Sequence, residues 1–305
     1  MISNILTVAE QVLILFILIA IGFAANKTKI VSSEAVKGIT NIILYIVTPA
    51  TIINSFNRSL DMEMMKGLII VFAMAVLIHI INIIAANLFM HDKDKARERV
   101  FKISMVSSNC GYMSFPLQNA ILGSNGVFYG AAYVAVFQIV SWTWGEGLMR
   151  GNFSFSPKKI FLNPGILGTV VGLIIFFTSL PVPDVISESI ASLAALNTPI
   201  PMMVIGYHLA DASLKIHGKN EYITMFFRLI ISPVVLMLIM LALNLRGDAL
   251  IVAIIAASAP VAALVTMFTS RYDGDTALAA GISSLSTIIS IITMPIIVGI
   301  AQFFA

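Results

Sequence analysis

The sequence predicts an all-α polytopic membrane protein of ten transmembrane helices, arranged as two inverted five-helix repeats whose fourth and ninth helices are broken. Three observations carry this. Of the 305 residues, 59% are apolar and 11% charged, a balance that a water-exposed surface of this size does not carry. Apolar stretches of spanning length, roughly 20 residues each, follow one another with short polar loops between them and leave no room for a separate soluble domain. Two of the stretches hold helix-breaking sequence at matching depth, one in each half of the chain.

The stretches lie at 7–25, 36–56, 67–90, 100–122, 126–149, 160–180, 185–210, 222–245, 249–270 and 276–304. The first has no basic residue before it, and Lys27 and Lys29 follow it at once. That order fits a retained helix with its amino end outside and argues against a cleaved signal peptide. The second stretch contains Thr48-Pro49 and the seventh Thr198-Pro199, 150 positions apart, and these are the only two Thr-Pro dipeptides. At the same offset Gly22 pairs with Gly172, and Ser108 with Ser258. Residues 1–149 therefore form one repeat, 150–159 an inner linker and 160–305 a second repeat, inverted because five is odd.

Charge sets the orientation. Of the 18 Lys and Arg residues only Arg58, Lys66 and Arg246 fall outside; the others, Arg228 among them, fall on or near the inner side. Both termini are then extracellular, and the loops at 26–35, 91–99 and 150–159 face the cytoplasm of a cell whose plasma membrane holds the protein. The densest run, His91 to Arg99, reads as an inner loop that fixes topology rather than a lipid-headgroup site. The net charge of +3 belongs to this asymmetry and not to nucleic-acid binding, since no basic run is interleaved with exposed aromatics. Cys110, the single cysteine, excludes an internal disulfide and any multi-cysteine metal site.

The fourth stretch carries Ser107-Ser108-Asn109-Cys110-Gly111 halfway across, with Pro116 beyond; the ninth carries Ala257-Ser258-Ala259-Pro260, then Val261 and Ala262. In hydrocarbon an unpaired backbone group costs several kcal/mol, so breaks at this depth are tolerated only where protein or a polar cavity satisfies them. Each break exposes the amino end of a second half-helix, with a partial charge of about +0.5 and free amides. Such a site favours an anion. Asn109 supplies a donor and an acceptor, and Ser107, Ser108 and Ser258 supply hydroxyls without a formal charge.

Other polar residues have simpler readings. Ser107, Thr48, Thr51, Gln138 and Ser283 are secondary candidates for the substrate path. Ser283, Ser286 and Ser290 share one face of the tenth stretch, where close helix packing explains them. His79 lies deep enough for either packing or proton transfer; His208, Asp211 and Glu146 sit at helix ends, where solvation accounts for them. Trp142 and Trp144 read as interface anchors.

The segment SNCGYMSFPLQ resembles the fourth-helix signature of the auxin efflux carrier family, in which an Asn is followed seven residues later by Pro-Leu. ASAPVAALVTMFTSRY resembles its ninth helix, and NIILYIVTPATIINSF and LNTPIPMMVIGYHLADASL resemble its scaffold helices. The resemblance covers essentially the whole chain. It implies that the fourth and ninth helices cross to form the site in a mobile transport domain beside a dimerising scaffold, and that the protein is a homodimer working as an elevator. On the matching positions, Asn109 is the crossover asparagine, Pro116 the later proline and Pro260 the ninth-helix proline. Plant members often carry Pro where this chain has Ser108, and a polar residue where it has Val261, which points away from auxin. Bacterial relatives are associated with small carboxylates such as malate and malonate.

The expected function is secondary-active or facilitative transport of a small mono- or dicarboxylate. Substrate contacts are expected from Asn109, Ser108, Cys110, Gly111, Ser258, Ala259, Pro260, Val261 and Ala262. The coupling ion is H+ or Na+, with a possible sodium site near the breaks and no other cofactor. The alternatives are a membrane sensor that binds a carboxylate without moving it and an intramembrane enzyme. The enzyme reading is the weaker one, because Tyr272-Asp273 and Gly281-Ile282-Ser283 each lack the partner their protease motifs need. No phosphate-binding Gly-Lys motif or zinc-binding histidine pair is present either.

Overall fold

A computed structural model describes residues 2–151, 162–211, 218–272 and 274–305, with side chains from Ala9 onward. The linker expected at 150–159 falls almost wholly outside the described residues, as do Lys215 and Asp273. Every regular element among the described residues is a helix, and one isolated antiparallel bridge joins two of the connections. In chain order they are α1 (Ile2–Lys27), α2 (Ser33–Phe56), α3 (Met62–Phe89), α4 (Lys95–Val106), α5 (Phe115–Leu122), α6 (Ser124–Arg150), α7 (Pro164–Thr178), α8 (Asp184–Ala195), α9 (Pro199–Ala210), α10 (Lys219–Ala242), α11 (Gly247–Ser258), α12 (Ala263–Arg271) and α13 (Thr276–Phe304).

Among the described residues seven stretches are long and apolar enough to cross a membrane: Ala9–Lys27, α2, α3, α6, Asp184–Ala210, α10 and α13. The other three expected spans take a different form. Those at 100–122 and 249–270 are each divided in two, and that at 160–180 gives the shorter apolar helix α7. The outer faces carry large exposed apolar side chains, such as Leu13, Ile17, Ile69, Phe72 and Ile174. Hydrocarbon solvates such a face; water does not.

Proline shapes the helices locally. π-helical turns at Ile43–Val47, Cys110–Ser114 and Phe227–Ile231 each run directly into a helical segment whose second residue is proline: Pro49, Pro116 and Pro233. A proline ring crowds the carbonyl four residues earlier and removes an amide donor. The preceding turn widens to relieve both effects, and such widenings recur at functional sites.

The helices pack in two groups. In one, α1 lies along α9, and α2 along α7 and α8. The approach of α1 to α9 depends on glycine: a Cβ at Gly22 would stand 1.9 Å from the Met203 carbonyl oxygen, and one at Gly206 1.8 Å from that of Ile19. In the other group α3, α4 and α6 pack with α10, α11, α12 and α13 around a core that includes Val71, Ile78, Phe128, Tyr133, Leu250 and Ile254. Contacts of α1 with α13 and of α2 with α6 join the groups.

The starts of α4, α10 and α13 meet at one end of the bundle. There Arg97 pairs with Glu221 at 3.3 Å and Asp275 at 3.6 Å, and Asn220 Nδ2 donates to Asp92 at 2.9 Å. The charge run read as a loop thus also ties first-half helices to second-half ones. Trp142, expected at a lipid interface, packs edge to face on Phe268 with ring centroids 5.1 Å apart, and both it and Trp144 are half-buried against the core at this end.

Candidate functional site

Helix α4 ends at Val106, and Ser107 turns to extended backbone with φ −89° and ψ 105°. Helix α11 ends at Ser258, and Ala259 is likewise extended with φ −62° and ψ 145°. Pro260 dictates the second break, since the residue before a proline is driven out of the helical region. The first has no adjacent proline; consecutive Ser, Ser and Asn are weak helix formers.

The two breaks satisfy one another. Ser108 and Val261 form the antiparallel bridge. The Asn109 amide donates to the Pro260 carbonyl at 2.7 Å, and the Ala262 amide to the Ser107 carbonyl at 3.0 Å. Helix α13 completes the set: the Val261 amide donates to Ser286 Oγ at 3.1 Å, and Ser283 Oγ donates to the Val261 carbonyl at 3.2 Å. Backbone groups that would be orphaned in hydrocarbon are thereby paired within protein. Ser107, Ser108, Asn109 and Cys110 are buried here with Ser258, Ala259, Pro260, Val261 and Ala262, and Gly111 is partly buried beside them. The structure thus brings the primary sequence candidates to one place, with Ser283 against them.

The charge balance at this crossing is lopsided. The carboxyl ends of α4 and α11 carry negative partial charge, and both are met by Arg228, fully buried in the π-helical turn of α10. Its Nη1 donates to the carbonyls of Met105 at 3.3 Å and Val106 at 3.2 Å; its Nη2 donates to Ser232 Oγ at 3.3 Å and, in a short bond, to the Ala257 carbonyl. The amino ends on the far side of the breaks have no side-chain cap at either Asn109 or Ala262. Nothing lies within 4 Å of where a Cβ would stand at Gly111, and Ala263 is exposed. Negative ends are plugged and positive ends are open.

The sequence reading counts Arg228 with the basic residues on or near the inner side and gives it no part in the crossing. Its signal was weak: one Arg near the start of a long apolar stretch looks like a topology marker. Around it lie further buried polar groups, of which Asn82 and Tyr133 are not among the sequence candidates. Asn82 Nδ2 donates to Ser232 Oγ at 2.9 Å, and the Tyr133 hydroxyl lies beside Ser108 and Arg228, aligned with no partner among the described residues. His79 is buried, its ring 5.4 Å from that of Tyr133 and its Nδ1 donating to the Ala75 carbonyl at 2.7 Å.

A family model for membrane transport proteins matches residues 7–153 and 148–298. The chain belongs to that family, which is the auxin efflux carrier family. This transporter is similar to an uncharacterized transporter of Methanocaldococcus jannaschii, 22% identical over 93% of this chain and 96% of the relative. It is also similar to one of Methanothermobacter thermautotrophicus, 21% identical over 94% and 96%. Auxin efflux carrier component 3 of Arabidopsis thaliana is 29% identical over 38% of this chain and 19% of its own. The protein is thus a multi-pass membrane transporter.

Of the secondary candidates of the transporter, Ser107 and Ser283 lie at the crossing and the other three scatter. Thr48 is buried behind Pro49, with a hydroxyl that has no partner among the described residues. Thr51 lines a cavity of about 180 Å³ between the two helix groups, with Asn54, Ser55, Asn119, Ser124 and Asn197. Those neighbours, unflagged by the sequence, make it polar without formal charge. Gln138 stands apart from the crossing: it accepts from Asn163 Nδ2 at 3.3 Å, and Asn163 caps α7. At the helix ends Asp211 accepts from Asn26 at 2.8 Å, and Glu146 is bound by Arg150 at 2.9 Å and by Tyr272.

Proposed function

We propose that this transporter carries a small organic anion, a mono- or dicarboxylate, by alternating access, and binds it where the broken helices cross. The observation that carries this reading is the lopsided charge of the crossing. A site whose negative helix ends are neutralised by Arg228, while its positive ends stay uncapped beside open space, attracts an anion. Asn109 adds an amide beside those ends without a charge of its own.

The ten-helix inverted repeat belongs to this reading. Residues at equal positions of two repeats meet only on the axis that relates them, and Asn82 hydrogen-bonds Ser232 at a separation of 150, the offset of the two Thr-Pro dipeptides. The paired glycines of that offset each sit at a close approach of a first-repeat and a second-repeat helix: Gly22 to the Met203 backbone of α9, Gly172 to the Phe56 side chain of α2. An axis in the membrane plane relates two halves that rock or slide to alternate access. In this account α1, α2, α7, α8 and α9 form a homodimeric scaffold in the plasma membrane, and the remaining helices move as an elevator. A proton or sodium gradient drives transport; rates indifferent to both, with membrane potential clamped, leave facilitated diffusion.

The test is Asn109→Ala in purified protein, with affinities from a carboxylate competition screen read beside melting temperature. The backbone amide of Asn109 already bonds Pro260, so the substitution spares the crossing. One or more charge-assisted hydrogen bonds, each worth roughly 1.5–3 kcal/mol, are lost, and affinity falls about tenfold to a hundredfold at unchanged melting temperature. Asn109→Asp binds still more weakly, because a carboxylate in the positive pocket repels the anion. Wild-type affinity in a well-folded Asn109→Ala protein would defeat the assignment.

A further inference from the structure

No carboxylate among the described residues pairs with Arg228, although its side chain is entirely out of solvent. Four uncharged oxygens accept its hydrogen bonds instead: the carbonyls of Met105, Val106 and Ala257 and the hydroxyl of Ser232. Three of them close the carboxyl ends of two half-helices, so their dipoles converge on one point. Carbonyl and hydroxyl oxygens at half-helix carboxyl ends are the ligand set that a membrane carrier presents to a small hard cation. Both terminal nitrogens are engaged, and Nε alone lacks a partner. The guanidinium therefore has no free fork for a substrate carboxylate.

We propose that Arg228 is a tethered cation that fills, at the helix crossing, the oxygen seat a free sodium ion would otherwise take, so that the neighbouring anion site works without bound sodium. The charge arrives with the fold rather than from solution. A cation covalently held on α10 keeps the ends of α4 and α11 neutralised whichever way the site faces, and it cannot dissociate to couple one gradient to another. The inference narrows the coupling question raised by the transport reading. Its test needs no organic substrate, so either can fail while the other stands.

Binding of radioactive sodium to the purified protein is measured beside melting temperature in sodium, choline and methylguanidinium chlorides at equal millimolar concentration. The wild-type protein shows no saturable sodium binding and the same melting temperature in all three salts. Arg228→Ala melts lower by roughly 5–10 °C in choline, because converging carbonyls lose their counter-charge, and sodium or methylguanidinium restores at least half of the loss. Arg228→Lys keeps the charge, melts between the two and does not respond to the salts. Saturable sodium binding by the wild-type protein overturns the proposal, as does a folded Arg228→Ala protein that melts alike in all three salts. If Arg228→Ala does not fold, the wild-type binding measurement decides: its absence supports the tethered cation, and its presence removes it.

Discussion

A charged side chain in a membrane chain comes to rest where oxygens or opposite charges can replace water, and two residues take the two routes open to them. Arg228 reaches carbonyls at the crossing. Glu98, near the start of α4, is held by Lys95 and Lys102, each at 2.8 Å, and accepts from the Asp92 amide at 3.2 Å. Burial works to raise its carboxyl, yet the bonds from Lys102, Lys95 and the Asp92 amide outweigh it and bring the group from 4.5 down to about 2. A depressed carboxylate contributes stability that is fully present above its unfolded value and is lost as pH falls toward the folded one. Glu98→Gln is therefore expected to melt below wild type at pH 7, with the gap closing between pH 4.5 and about pH 2; melting curves across that window check it. The sequence displayed Glu98 in a dense charge run but not the lysines it would choose, because spacings of three and four residues become contacts only once Asp94 caps a helix that starts at Lys95.

At the scale of elements, proline was the most legible residue and also an incomplete guide. Pro260 announces the second break, and Ala259 has the extended backbone that a following proline imposes. Pro116 was readable as a disturbance, but it sits at the second residue of α5, eight residues beyond the bridge residue Ser108 and preceded by a π-helical turn. The first break itself is stabilised by its partner, through hydrogen bonds to residues more than 150 positions away, and local sequence holds no record of such bonds. This mutual pairing gives a direct test. Ala262 has φ −67°, which proline adopts without strain. Ala262→Pro nevertheless deletes the amide that donates to Ser107 and sets a ring carbon against that carbonyl. The crossing must part there: a melting temperature lower by several degrees and weakened anion binding are expected together, whereas Ala262→Ser, which keeps the amide, stays near wild type in both.

For the whole molecule, the asymmetry of Lys and Arg predicts sidedness, while the structure shows only that the starts of α4, α10 and α13 meet at one end through Arg97, Glu221 and Asp275. Cysteine mapping in a Cys110→Ser background tests the sidedness. A cysteine in place of Arg58 is expected to react with an impermeant reagent in intact cells, and one in place of Lys95 only after the membrane is opened. Labelling at position 95 from outside sinks the topology. What the sequence by itself determined follows from solvent and from local backbone chemistry: a composition only lipid accepts, helices throughout, breaks around Asn109 and Pro260, and paired glycines at one offset. Those are properties of single segments, which hydrophobicity and proline geometry set without reference to distant partners. Only the tertiary structure decided that the breaks bridge each other, that Gln138 serves a helix cap instead of the crossing, and that Arg228 meets the carboxyl ends of two half-helices. The reason is physical: a buried charge or an open backbone amide takes its place from the groups that converge on it, and convergence is a property of packed helices, not of their order along the chain.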